Sequence, residues 1–273
     1  SLNGKLSKDM LKYSIPIVPS STAWWVMQIS GKYMITAFVG VAANGIYSVA
    51  YKIPTILSTL TSIFTQAWQI SAIKSYGDGD NDNFISNVYK YFIIASVIIC
   101  SGLIFFSKHL GYILYAKDFF IAWTYVPILL VAFHFSGLSG VVASVYSATK
   151  KTVQLFTSTS AGAFLNIVLN LILVPKYGAI AAAYTTLTAF FVTWLIRMIH
   201  VRKLIKMEIN YCKCIISFVL LTLEAILVSN QVRYMYVWAF IIIAIQIVLF
   251  FPEVKFMAEK LLGKAKEITK KDK

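Results

Sequence analysis

The sequence predicts an all-α membrane protein, a polytopic bundle of eight transmembrane helices. Three observations predict it. Hydrophobic residues make up 59% of the 273 positions and charged residues 13%, about half the charged share of a soluble domain. Apolar stretches long enough to cross roughly 30 Å of hydrocarbon recur eight times. The basic residues also alternate sides. Of the 25 Lys and Arg, 19 fall at the N-terminus, around the even-to-odd connections and in the C-terminal tail, while only Lys108, Lys117, Lys176 and Arg233 fall on the other side. The remaining two, Lys32 and Lys52, lie inside spans. The positive-inside rule puts both termini in the cytoplasm, and an even number of spans agrees.

In chain order, residues 1–12 read as a polar cytoplasmic linker. With Ser1 in place of Met and no signal-peptide pattern, they fit the later part of a longer protein. The spans follow as Tyr13–Gly40, Asn44–Lys74, Ser86–Ser107, Phe119–Ala148, Val153–Val174, Gly178–His200, Tyr211–Val228 and Met235–Phe251. Pro16 and Pro19 in the first, Pro54 in the second and Pro127 in the fourth each remove a backbone donor and favour a kink. Gly178, Ala181, Ala182, Ala183 and Ala189 give the sixth a small-residue surface for close helix packing. Residues 253–273 form a basic cytoplasmic tail suited to anionic headgroups.

The first two spans read as a hairpin turning near Val41 and Ala42. Lys32 and Lys52 each stand ten residues from Ala42, so both lie roughly 10–15 Å below the turn at 1.5 Å per residue. A charge at such depth costs about 2.5–3.5 kcal/mol on insertion scales and should face protein or water rather than lipid. Neither lysine has an acid within its own hairpin. The pair predicts an anion site in a water-accessible cavity, with lysine–carbonyl or lysine–acid pairing across helices as the structural alternative.

Other polar groups point less sharply. Gln66 and Gln69 share a face of the second span, and Asn166 and Asn170 stand one turn apart on the fifth. Each pair fits an interhelical clamp or a contact to substrate. His134, in the middle of the fourth span, fits either proton coupling or a neutral imidazole bonded to a neighbouring helix. Glu224 and Arg197 lie near span ends, where snorkelling to the interface accounts for them. Cys100, Cys212 and Cys214 form no CxxC pair, the three histidines are scattered, and neither HExxH nor a glycine-rich phosphate loop occurs. No metal, cofactor, nucleic acid or catalysis is expected.

The run YSIPIVPSSTAWWVMQISGKYMITAFVGVAANGIYSVAYKIPTILSTLTSIFTQAWQISAIKSYG resembles the opening of the C-terminal region of polysaccharide flippases. These are the O-antigen and exopolysaccharide repeat-unit transporters of the multidrug/oligosaccharidyl-lipid/polysaccharide exporter superfamily. The stretch SATKKTVQLFTSTSAGAFLNIVLNLILVPKYGAIAAAYTTL, with N-x3-N and PKYG elements, resembles the same family's second hallmark. Together the two cover most of Tyr13–Leu187. The resemblance implies a two-lobed exporter of which residues 13–200 are the second six-helix lobe and 201–252 two extra helices, with the first lobe absent. It implies alternating-access transport of an undecaprenyl-diphosphate-linked oligosaccharide in the plasma (inner) membrane, for polysaccharide and lipopolysaccharide assembly. Polymerase and assembly proteins would be partners.

Carried over position by position, Lys52 in Tyr51-Lys52-Ile53-Pro54 matches the family pattern, as do Trp24, Trp25, Gln66, Trp68 and Gln69, whose rings and amides are candidates to contact sugars. Lys32 matches as the basic residue, but Gly31 stands where the family places an acid, which removes a coupling carboxylate. The rival readings are a drug or cation exporter of the same superfamily, which would want buried carboxylates, and a membrane scaffold of a polysaccharide-synthesis complex. A membrane glycosyltransferase would need long external loops that the chain lacks.

Overall fold

A computed structural model describes residues 4–78, 81–205, 207, 209–256 and 259, and the regular structure among them is helical throughout. The expected all-α membrane bundle is what the chain forms. Its helices are α1 (Gly4–Ser14), α2 (Ile17–Phe38), α3 (Val41–Ala50), α4 (Lys52–Asp78), α5 (Asn81–Leu114), α6 (Val126–Ala148), α7 (Thr152–Tyr177), α8 (Ala179–Val201), α9 (Tyr211–Ser229) and α10 (Met235–Leu249), with a 3-10 segment over Lys117–Tyr125 before α6. Five stretches are both long and apolar enough to cross a bilayer: Phe84–Leu114, Lys117–Ala148, Thr152–Tyr177, Ala179–Val201 and Tyr211–Ser229. α10 is apolar but has only 15 residues, short of the roughly 20 that a span needs. α2 has 22 residues and α4 has 27, so both have the length but not the apolarity.

Two predicted spans are each split by a proline. The first divides into α1 and α2 at a turn through Ile15 and Pro16, where Pro16 caps α2 with no side-chain bond. Pro19 then falls in the first turn of α2, where the missing N–H costs no intrahelical bond. The expected linker over 1–12 is thus helical from Gly4. The second divides because Pro54 has no N–H to offer the carbonyl of Ala50, the residue at which α3 stops. α4 starts at once on the other side, the Thr55 N–H donating to Tyr51 O at 3.0 Å and the Thr55 hydroxyl to Lys52 O at 2.7 Å. Gly40 sits at φ 120° between α2 and α3, a conformation that disfavours any residue with a Cβ.

α6 is the axis of the bundle, with 18 of its 23 residues buried. α4 and α8 pack along it, α5 and α9 flank it, and α7 joins α8 to α2. The expected hairpin is therefore opened out. α2 lies on α7 and α8 while α4 lies on α6, so the two arms stand at the two ends of the row α2–α7–α8–α6–α4. The small residues of α8 act as expected: Ala182 is fully buried, and a Cβ on Gly31 of α2 would stand 3.3 Å from it.

Arg197 and Glu224 correct the sequence reading. Arg197 is only 3% exposed and Glu224 not at all, so neither snorkels. Reach along a helix's own axis says nothing about what packs against it, and here α2, α6 and α7 close over Arg197 while α5 meets Glu224.

At the other end of the chain, residues 251–256 form a further helical segment held to the bundle by Glu253. Its carboxylate is 3.2 Å from Lys90 of α5 and 3.9 Å from Lys213 of α9, and Phe256 stacks on Tyr91. Burial opposes ionisation of Glu253, but a backbone hydrogen bond and the two ammonium groups outweigh it and hold its pKa below the ordinary value. A depressed carboxyl stabilises the fold above its unfolded pKa and loses that contribution as pH falls through the lowered one. Glu253→Gln should therefore lower the melting temperature at pH 7 and have no effect once the medium is acid enough to protonate the wild-type carboxyl. An equal deficit at both pH values would contradict the ion-pair account. Of the basic tail expected over 253–273, residues 257, 258 and 260–273 lie outside the described residues.

Candidate functional site

α4 has three faces. Ile53, Leu57, Thr61, Trp68 and Ala72 are buried toward the bundle. Ile56, Leu60, Ile63, Ala67 and Ile70 are exposed and apolar, and Lys52, Thr55, Thr59, Ser62, Gln66 and Gln69 are exposed and polar. Each set steps by three or four residues, the spacing of one helical face. At about 100° per residue the two exposed stripes lie roughly a quarter turn apart. A lipid-facing helix would be apolar over its whole exposed surface. Only one of these stripes suits hydrocarbon; the other needs water or a polar ligand.

α2 presents a similar line through Trp25, Gln28, Lys32 and Thr36, exposed or half-buried. The two polar lines meet at the α3–α4 turn. The Lys32 ammonium lies 4.5 Å from the centroid of the Tyr51 ring, and Tyr51 immediately precedes Lys52. Lys32 is half-buried and Lys52 exposed, and among the described residues neither takes part in an ion pair. Tyr51 is itself wedged edge-on against Tyr47 and Phe133, which fixes the platform on which Lys32 rests. Lys32 thus rests on the residue that ends the α3–α4 turn, and Lys52 opens the helix that follows it.

Behind this surface runs a chain of buried hydrogen bonds. Ser30 bonds to the Asn166 side-chain oxygen, which also accepts from Asn170 at 3.0 Å; Thr185 donates to Asn170 at 2.7 Å. Both asparagines are fully buried, and they tie α2, α7 and α8 together. A second network centres on Arg197, which donates to Ser158 at 3.1 Å, Thr159 at 2.8 Å and Ser139 O at 2.8 Å, with Trp24 5.6 Å away. Thr159 bonds in turn to Ser20 of α2 at 3.1 Å.

The other predicted residues scatter. Gln66 and Gln69 are on the polar stripe, Gln66 donating to Ser62 at 3.2 Å. Trp25 is 58% exposed. Trp24 is half-buried, its ring tilted against Phe190 at 5.1 Å between centroids. Trp68 is buried on the face toward α6, its ring N–H pointing to Val141 O at 3.4 Å. His134 is fully buried with both ring nitrogens unpartnered, its ring near Phe135 and Phe218 on the α9 side of α6. No group of three or more metal-ligating side chains exists among the described residues. Sequence reasoning missed the hydroxyls Thr55, Thr59 and Ser62, which were legible as the rungs joining Lys52 to Gln66.

Fold and surface together define a class: a multi-pass helical membrane protein with an exposed polar stripe, headed by a lysine, along one helix. No protein-family model matches the chain. Its fold is similar to part of the fold of two solved transporters. It superposes on a MOP superfamily transporter from Pyrococcus furiosus, described as having a binding pocket of reverse polarity, with a TM-score of 0.59 and 18% identity, covering 82% of this chain and 52% of that one. An outward-facing multidrug resistance MATE family transporter gives a TM-score of 0.58 at 17% identity, over 80% of this chain and 52% of that one. In sequence, the chain is 21% identical over 211 residues to the uncharacterized membrane protein MJ1068 of Methanocaldococcus jannaschii, covering 74% of this chain and 41% of the relative. The chain thus spans about half the length of the proteins it resembles.

Proposed function

We propose that the chain is one lobe of a plasma-membrane transporter that moves a polyprenyl-diphosphate-linked oligosaccharide by alternating access. The polar faces of α2 and α4 form its share of the cavity wall. The observation that carries this reading is the exposed polar stripe of α4, headed by Lys52 and running through Thr55, Thr59, Ser62, Gln66 and Gln69, with Lys32 of α2 held on the ring of the preceding Tyr51. Ammonium groups without an acid partner suit a diphosphate, acting as point charges. The amides of Gln66 and Gln69 both donate and accept, as the hydroxyls of sugars require, while Thr55 and Thr59 donate to Lys52 O and Thr55 O of their own helix and offer only acceptor lone pairs. The alternation of basic residues supports cytoplasmic termini, and the resemblance of Tyr13–Leu187 to polysaccharide flippases supports the substrate class and polysaccharide-assembly partners.

The fold likeness to a multidrug transporter favours a second reading, export of organic cations. The same two lysines oppose it, because they would repel a cation. Glu224 does not help, being sealed between α5 and α9 with Ser101 as its partner.

Reconstitution of the full-length protein in liposomes separates the readings. Uptake of a polyprenyl-diphosphate disaccharide should fall about tenfold or more in Lys32→Ala or Lys52→Ala, the loss of one charge-assisted contact of roughly 1.5–3 kcal/mol, while Lys52→Arg keeps most of the rate. Wild-type rates in both alanine variants, or transport of cationic dyes in place of the saccharide, would overturn the proposal.

A further inference from the structure

A groove of about 850 Å³ runs along the bundle between α8 and α9, within the roughly 300–1,000 Å³ range of small-molecule sites. It exists because these two helices do not pack closely on each other, although a short connection joins them. Its floor is aromatic: Phe135 of α6, Trp194 of α8 and Phe218 of α9 lie 5.2–5.4 Å apart, centroid to centroid. Its lining runs from Arg202 and Tyr211 at the connection to Leu187 and Ile226 at the far end. Fifteen residues of α8 make that about 22 Å at 1.5 Å each, longer than the ~15 Å depth of one leaflet's hydrocarbon.

The walls carry no polar group aimed into the groove. The hydroxyls of Thr188 and Thr222 turn back to their own helices, donating to Tyr184 O at 2.9 Å and Phe218 O at 2.8 Å. The mouth is different. The Arg202 guanidinium is exposed and lies 4.0 Å from the centroid of Tyr211. Lys203 is exposed beside it, and the connection carries Arg202, Lys203 and Lys206 against the single acid Glu208. A guanidinium held by its face on a ring keeps its in-plane N–H groups for phosphate oxygens.

We propose that this groove is a site for an anionic phospholipid of the surrounding bilayer, its acyl chain lying along α8 and α9 and its phosphate on Arg202. The inference rests on the chain spanning a membrane and is independent of what the chain transports. An apolar trough between transmembrane helices, closed at one end by cations, has the chemistry by which such crevices take anionic headgroups. A packed apolar helix from another protein would fill the trough but bring no phosphate to the exposed Arg202 and Lys203 at its mouth.

The test uses the intact purified protein equilibrated with equimolar phosphatidylglycerol and phosphatidylcholine of matched chains, with retained lipids counted by native mass spectrometry. Wild type should retain phosphatidylglycerol about fivefold over phosphatidylcholine, the equivalent of ~1 kcal/mol per basic residue near the surface. Arg202→Gln should bring the ratio close to one, and Arg202→Lys should keep most of the preference. Leu195→Trp fills the trough without touching its mouth, so it should lower retention of both lipids. A ratio near one in wild type, an unchanged ratio in Arg202→Gln, or full retention in Leu195→Trp would each overturn the proposal.

Discussion

Gly162→Ala should destabilise the bundle by about 1–3 kcal/mol, the range for overpacking a filled core, and lower its melting temperature in detergent. A Cβ at position 162 would fall on the Thr193 hydroxyl oxygen, 3.0 Å from the Met27 sulfur and 3.2 Å from the backbone carbonyl of Ala189. The hydroxyl is already committed, donating to Ala189 O at 2.8 Å, and a helix carbonyl cannot rotate aside. The added methyl therefore forces α7 away from α8 and α2 together, at the point where all three meet. Alanine's better helix propensity returns only about 0.8–1 kcal/mol, so the sign stays destabilising. Gly102 of α5 is the control, because a Cβ there meets nothing within 4 Å; Gly102→Ala should be neutral or slightly stabilising. Adding Thr193→Ala to Gly162→Ala should recover part of the loss, the Ala189 carbonyl remaining in the way. Equal melting temperatures for the two glycine variants would show that close approach at Gly162 is not what holds these helices.

The later spans were legible almost to the residue. Val153–Val174, Gly178–His200 and Tyr211–Val228 became Thr152–Tyr177, Ala179–Val201 and Tyr211–Ser229, because each is a single apolar run closed by polar or glycine residues at both ends. The first two spans were not, because a proline sets where a backbone donor is missing but its surroundings decide between a kink and a break. At Pro54 the Ala50 carbonyl is left without its helical donor, and α3 ends at that residue. The turn there presents the Tyr51 ring on which Lys32 rests. The lysines were visible as charges out of place in apolar sequence. The opened hairpin was not, since the residue that bonds Ser30 of α2 is Asn166 of α7, far along the chain.

Arg197→Ala should be among the most destabilising single changes in the chain, about 3–5 kcal/mol by the scale of truncating a large buried side chain. The guanidinium is fully enclosed, donates to three acceptors on α6 and α7, and lies against Trp24 of α2. Removing it leaves a void where four helices converge. Whether the charge itself stabilises is a separate matter, because burying a cation costs several kcal/mol and, among the described residues, no carboxylate pairs with this one. Its acceptors also have other bonds: Ser158 and Thr159 both donate to Leu155 O, at 2.9 and 2.7 Å, so losing the guanidinium does not strand their protons. Arg197→Met keeps most of the volume and discards both the desolvation cost and the three hydrogen bonds. It should therefore recover the greater part of the stability that alanine loses, as measured by thermal unfolding in one detergent. If methionine proves as damaging as alanine, the hydrogen bonds from Arg197 hold α6, α7 and α8 in register, and packing around Trp24 is the lesser effect.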